Sequence, residues 1–379
     1  MVVGIFIKRD YVMGQIPIQK ERKICGLAPK TALWSLFLGL TLAVFVLNGL
    51  SCVGLSKAMR DGGYAEEWHD GADGSLLSDV AYGDREWELM DVYLPKERDP
   101  SKVKGAILFV HGGAWIGGSR GEQQGFARYF AKEGWLTANM EYILYNDKLS
   151  DEEKAEYSVY KVLDEIDLAL AKLKEVGAEH GYDVEKVAVS GHSAGGHLAM
   201  LYGYAYKTRE NANPPVEVAF VAPRVGPSDF YSSRIFPEDI KNRSEKQLEA
   251  SAAFASFLSG VKISASELKE RDEKVDAALR SISPAAFIAE SATPTFAAYG
   301  GKDPLVPESI HGEAVAEEFR KLGAKKIAEL PEGDTTSLAF DLLVFPNSGH
   351  MLEEPEYARQ WRETFAVYAE RYLSVSEKQ

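Results

Sequence analysis

At 379 residues with 45% hydrophobic composition, the chain is long enough to bury one sizeable domain or two smaller ones, and nothing in it suggests disorder. The formal charge is −14; residues 1–52 carry +4, which leaves −18 for residues 53–379. A body that acidic repels phosphate backbones, so nucleic acid is excluded as an expected partner: binding it takes clustered Lys and Arg.

The chain opens with Lys20, Arg22, Lys23 and Lys30 ahead of an uncharged apolar run, ALWSLFLGLTLAVFVLNGL, at residues 32–50. This reads as a signal or membrane anchor that keeps the basic end inside and exports the rest of the chain. The two cysteines, Cys25 and Cys52, flank the run, so the body has none for a disulfide. Cys52, after Gly49-Leu50-Ser51, resembles the acylated cysteine of bacterial lipoproteins. Residues 1–52 are therefore expected to be a cleaved signal, a retained anchor or a lipid attachment at Cys52. Residues 53–75, polar and Gly-rich, are expected to be a tether, and 76–379 the folded domain.

From residue 76 onward, short apolar runs alternate with longer amphipathic ones, which predicts an α/β fold with a mostly parallel central sheet flanked by helices. The β-branched and aromatic runs predict strands at 87–93, 105–110, 136–141, 184–189, 216–221, 295–299 and 342–345. Val162, Ile166, Ala169, Leu170 and Leu173 mark a helical stripe over 159–176, and a last helix is expected over 354–372. The charged, helix-prone stretch inside 230–283 interrupts the alternation ahead of the strand at 295–299. It reads either as a long crossover connection or as a lid.

The chemistry begins with Gly-x-Ser-x-Gly, which occurs twice, at 191–195 and 117–121. A nucleophile elbow needs a strand that stops abruptly, a strained turn that lifts the hydroxyl clear, and a helix directly behind it. Ser193 has all three; Ser119 follows the turn-forming HGGAWIGG and reads as a loop serine. An acyl-transfer site also needs donors for the developing oxyanion. Gly112 and Gly113, just past the strand at 105–110, let the backbone approach, so the N–H groups of Gly113, Ala114 and Ala194 are the expected hole. His111, Gly112, Trp115 and His192 border this constellation and are expected at the substrate's edge, with Phe230 and Tyr231 as further aromatic surface. The His111 side chain is expected to hydrogen-bond backbone rather than take a proton, and His192 to pack beside the elbow or border the substrate. His350, between the strand at 342–345 and the last helix, is the expected general base. His197 is expected to pack beside the elbow, and His69, His180 and His311 to be solvated. No HExxH or CxxC spacing indicates a metal, and no cofactor is required.

HGGAW, GHSAGGH, DVYLP, YGGKDPLVP and NSGH together make the chain from about residue 76 to 372 resemble the carboxylesterase branch of the α/β-hydrolases. The likeness is to its hormone-sensitive-lipase-like and acetyl-xylan or feruloyl esterase-like groups. The resemblance implies that Asp303, in the loop where the family keeps its acid, orients His350, with Asp229 and Asp334 as rivals. It also implies hydrolysis of short acyl esters, including acetyl groups on carbohydrate, through an acyl-enzyme. Ala114 stands where many relatives have a third glycine. Two other readings stay open: a serine peptidase or amidase of the prolyl-oligopeptidase type, and a membrane-tethered, non-catalytic binding protein.

Overall fold

The computed structural model describes residues 67–96, 105–146, 148–205, 214–231, 243–291 and 293–373. The apolar run, Cys52 and residues 53–66 of the expected tether lie outside them. Among the described residues no helix is long and apolar enough to cross a membrane.

Eight strands are described: β1 (Gly74–Ala81), β2 (Leu89–Pro95), β3 (Ala106–Val110), β4 (Leu136–Met140), β5 (Lys186–His192), β6 (Glu217–Arg224), β7 (Thr295–Gly300) and β8 (Phe340–Phe345). They form one sheet in the order β1-β2-β4-β3-β5-β6-β7-β8. The pairs β1–β2 and β2–β4 are antiparallel and the others parallel. All five residues of β3 are fully buried, as expected of a parallel strand covered on both faces, and this accounts for its unbroken apolar run.

The helices that position the site are α1 (Gln124–Lys132), α2 (Val159–Glu179), α3 (Ala194–Ala205), α4 (Glu245–Ser259), α5 (Ala265–Glu270), α6 (Glu273–Ser281), α7 (Glu313–Lys321) and α8 (Tyr357–Tyr372). Helices α1 and α8 cover one face of the sheet through an aromatic core that includes Phe109, Phe130, Phe296, Trp361 and Phe365. On the other face α2 buries the predicted stripe together with residues of α3, α4 and α7.

Two expectations are corrected. β1 lies partly within the stretch expected to be a tether, and the folded body already includes Trp68, whose ring meets Tyr93 edge-on at 5.2 Å. β1 was not expected because it is the sheet's edge: Ser78, Asp79 and Ala81 are exposed, so its sequence lacks a sustained apolar run. The last helix starts at Tyr357 rather than 354, because the Glu354 side chain and N–H are both used in the loop that carries His350. Of the stretch 230–283, residues 232–242 lie outside the described part; the remainder includes α4, α5 and α6, each opened by a side-chain cap at Ser244, Ser264 and Asp272.

Beneath the sheet's antiparallel end, Glu165 of α2 is buried, accepting from Trp87 Nε1 at 2.9 Å and from the N–H of Ile143 at 2.7 Å. Burial raises its carboxyl to about 7, those two donors only partly offsetting the rise and Glu88 adding to it. Between the ordinary 4.5 and 7 the folded chain holds a proton that the unfolded chain has released, so stability falls as pH rises through that window. The full loss is on the order of 3 kcal/mol. In Glu165→Gln this dependence should disappear, so that the variant gains on the wild type by about that amount between weakly acidic and alkaline pH. Urea midpoints at the two ends of the window measure it; a constant gap between the proteins would show that Glu165 ionises normally.

Candidate active site

β5 ends at His192 and α3 begins at Ala194, which isolates Ser193 in a left-handed conformation at φ +55°. For a residue with a Cβ this costs roughly 1–2 kcal/mol and persists only where the surroundings impose it. Here the Ser193 N–H donates to the carbonyl of Arg224 on β6 at 2.9 Å, and the Ser193 carbonyl accepts from His197 N–H at 3.0 Å. Gly195 lets the helix press onto β3: a Cβ there would lie 2.1 Å from the carbonyl oxygen of Val110. The hydroxyl is thus held at the carboxyl edge of the sheet, above the first turn of α3.

His350 reaches it from the loop between β8 and α8. Its Nε2 lies 2.9 Å from Ser193 Oγ, and its Nδ1 lies 2.7 Å from Asp303 Oδ2. The Asp303 side chain has no exposure and that of His350 12%. Asp303 Oδ1 accepts from the N–H groups of Leu305 and Val306 at 2.8 and 3.0 Å, so both carboxylate oxygens are committed and the carboxylate plane is set. A carboxylate only accepts, so the His350 proton sits on Nδ1 and Nε2 is left to receive from the serine. Of the rivals, Asp334 closes its own turn on Thr336 and Ser337, and Asp229 accepts from the N–H of Tyr231. Neither pairs with His350.

The loop carrying His350 is tied down just before the imidazole. Glu354 accepts from the N–H groups of Asn347 and Ser348 at 2.7 and 3.0 Å and donates its own N–H to Ser348 Oγ, while Glu353 accepts from the Gly349 N–H at 2.8 Å. These contacts were not anticipated, although two adjacent glutamates just past the base were a signal in plain view. They hold the base loop without any regular secondary structure.

The oxyanion turn is strained. Gly113, Ala114 and Trp115 all have positive φ, +106°, +53° and +62°. A Cβ on Gly113 would lie 2.1 Å from the Gly117 carbonyl oxygen, so glycine is required there; Ala114 and Trp115 pay the left-handed penalty. The Gly113 carbonyl pins the turn, accepting from Ile116 and Gly117 at 3.1 and 3.0 Å. The N–H of Ala194 sits in the first turn of α3, where helical donors have no intrahelical partner. Gly112 lies against the elbow, its ideal Cβ 3.4 Å from that of Ser193.

Several side chains lie elsewhere than expected. His111 is fully buried: Nδ1 donates to the Gly112 carbonyl at 2.7 Å, Nε2 stands 3.5 Å from Glu141, and the ring stacks on Tyr142 at 4.1 Å. The bond to the turn's backbone is the one expected of it, while its full burial takes the ring off the surface. Burial alone would push Glu141 up, but His111 and Arg120 outweigh it and hold its carboxyl below the usual range. His192 is also buried, with Nε2 3.0 Å from the carbonyl oxygen of His350. Trp115 packs edge-on against His197 at 5.2 Å and against Phe254 and Phe257 of α4 at 5.9 and 6.4 Å. His311 is not solvated: it is buried, its Nδ1 accepts from the N–H groups of Ser228 and Asp229, and burial lowers it to about 4. His69 and His180 are exposed. Ser119 is extended, at φ −160°, in contrast to the left-handed Ser193.

Among the described residues no cluster of three or more His, Cys, Asp or Glu is placed to hold a metal ion.

Residues 90–315 match the BD-FAE family. Among curated proteins, the chain is 27% identical over 273 residues to Esterase LipC of Mycobacterium tuberculosis, which covers 70% of this chain and 60% of that protein. To Esterase LipQ of the same organism it is 26% identical over 275 residues, 70% of this chain and 57% of that one. The chain thus spans about 60% of the length of these relatives. Among solved structures, an inhibited esterase B from Lactobacillus rhamnosis superposes with a TM-score of 0.60 at 17% identity, over 86% of this chain and 95% of that one. A truncated carbohydrate esterase from gut microbiota gives 0.56 at 16% identity, over 80% and 99%. At such identities these two structures speak for the fold.

Proposed function

The chain belongs to the BD-FAE family of α/β-hydrolases, and on that premise we propose that it is a serine carboxylesterase acting on short acyl esters, including those on carbohydrate. The observation that carries this reading is the hydrogen-bonded line Asp303–His350–Ser193, at 2.7 and 2.9 Å, beside backbone donors in a strained turn. In the proposed reaction His350 Nε2 takes the Ser193 proton as Oγ attacks the ester carbonyl carbon. The oxyanion is received by the N–H groups of Gly113, Ala114 and Ala194, worth roughly 100- to 1,000-fold each in rate. Collapse expels the alcohol, which leaves with the proton from His350, and the acyl group stays on Oγ. Water, deprotonated by His350, then attacks the acyl-enzyme; the acid departs and Ser193 recovers its proton.

The short-acyl preference is supported by the aromatic wall beyond the oxyanion turn. Trp115, Phe254 and Phe257 meet edge-on next to His197, one helical turn from Ser193, and α4 is anchored by buried Leu248, Ala252, Ala255 and Leu258. The carbohydrate component rests on the motif resemblance of HGGAW, GHSAGGH and NSGH to the acetyl-xylan or feruloyl esterase-like group. For residues 1–52 the proposal is export, with the segment cleaved as a signal, retained as an anchor or lipid-attached at Cys52, on the strength of the uncharged run at 32–50.

A panel of nitrophenyl esters of increasing chain length, with acetylated sugars and aminoacyl amides, tests the reading. The wild type should favour the shortest esters, and Phe254→Ala should move the preference toward longer chains by about tenfold, the scale of one or two methylenes in an apolar pocket. Preference for amides would replace the esterase with an amidase, and inertness toward the whole panel together with a fluorophosphonate would favour a binding protein.

A further inference from the structure

We infer that His192 is a positioning residue for the base: its Nε2–H holds the backbone carbonyl of His350 while its ring lies against the oxyanion turn, so that one side chain sets the spacing between the two loops of the reaction. The inference rests on the hydrolase reading above.

His192 ends β5, one residue before Ser193, so its ring is fixed to the same strand as the nucleophile. Nε2 lies 3.0 Å from the His350 carbonyl oxygen. A carbonyl only accepts, which puts the proton on Nε2 and leaves Nδ1 as a bare lone pair. Nδ1 is buried with no hydrogen-bond partner among the described residues, and a Cβ on Gly112 would stand 3.4 Å from it. The ring also meets the His350 ring edge-on, with centroids 5.3 Å apart. Glu353 and Glu354 hold the peptide groups before His350; among the described residues His192 holds the carbonyl of the base itself.

The tautomer has an electrostatic consequence. The charged or titratable groups that bear on His192 are His350 from the base loop and Arg224 from β6, with Asp303 beyond His350. Burial first, and then those two neighbours, hold His192 well below the ordinary histidine range, so it stays neutral. When His350 takes the serine proton it therefore faces a neutral ring.

His192→Phe keeps an aromatic ring and removes the donor; His192→Gln keeps an N–H that reaches the carbonyl. The Phe variant is expected to lose about 100-fold in kcat with KM nearly unchanged, the scale of a misplacement near 1 Å, and the Gln variant to recover at least tenfold of that. Thermal midpoints measured alongside separate positioning from unfolding. If the Phe variant does not fold, nitrogen NMR of the unmodified protein still decides: His192 should hold the Nε2–H form through neutral pH, and a Nδ1–H or cationic ring would overturn the inference. So would an active wild type matched within threefold by a folded His192→Phe, or a folded Gln variant no better than Phe. A wild type inert toward esters and fluorophosphonate alike would overturn the esterase reading and this inference together.

Discussion

Ser193→Ala is expected to abolish labelling by a fluorophosphonate and to lower kcat by on the order of 10⁶-fold, the scale seen when a triad nucleophile is removed. The oxyanion donors survive the change, so activity above the uncatalysed rate persists at a low level. Folding should survive as well: alanine meets the same left-handed strain at φ +55°, and the bonds that impose it, to Arg224 and His197, are made by the backbone. Ser119→Ala is the matched control, since its motif is identical in pattern and its backbone is extended. Labelling that persists in Ser193→Ala and vanishes in Ser119→Ala would move the nucleophile to the oxyanion loop.

Asp303→Asn should cost about 10⁴-fold in kcat, or roughly 5.5 kcal/mol of transition-state stabilisation, with little change in stability. The geometry fixes which way the new amide faces. One oxygen of the native carboxylate accepts from Leu305 and Val306, and only an amide oxygen can keep those two bonds. The amide NH₂ must therefore point at His350 Nδ1, which then loses its proton to Nε2, and Nε2 presents a donor to a hydroxyl that needs an acceptor. The fluorophosphonate labelling rate should drop along with kcat. Asp229→Asn, on a residue bonded locally to Tyr231, should keep activity within about tenfold. The opposite ranking of the two variants would make Asp229 the acid.

Much of the scaffold could be read from the chain because it rests on local rules. Strands β2 to β8 announce themselves as β-branched and aromatic runs, and α2 by its stripe, because burial on one or both faces of an element leaves a periodic mark. β1 left no such mark, being an edge strand whose apolar residues are interrupted by exposed Ser78 and Asp79. The elbow at Ser193 was legible for a similar reason: a strand, one strained residue and a glycine-lined helix start are contiguous in sequence.

What the histidines do was not legible in the same way. His111 could be read only as bonding some backbone group of its turn, His192 only as packing beside the elbow or bordering the substrate, and His311 read as solvated. All three are buried, and their partners are Gly112 with Glu141, the carbonyl of residue 350, and Ser228 with Asp229. A histidine's role is set by which groups face its two nitrogens, and except for Gly112 those groups lie 30 to 158 residues away.

By itself, then, the sequence determined the α/β architecture, the order of its elements and the strained turn at Ser193, since periodicity, turn chemistry and glycine placement act between neighbours along the chain. Only the tertiary structure decided that Asp303, His350 and Ser193 meet, which aspartate pairs with the base, and which buried side chains hold the two loops. Hydrogen bonds between remote segments depend on sub-ångström placement, and that placement comes from the packed sheet as a whole.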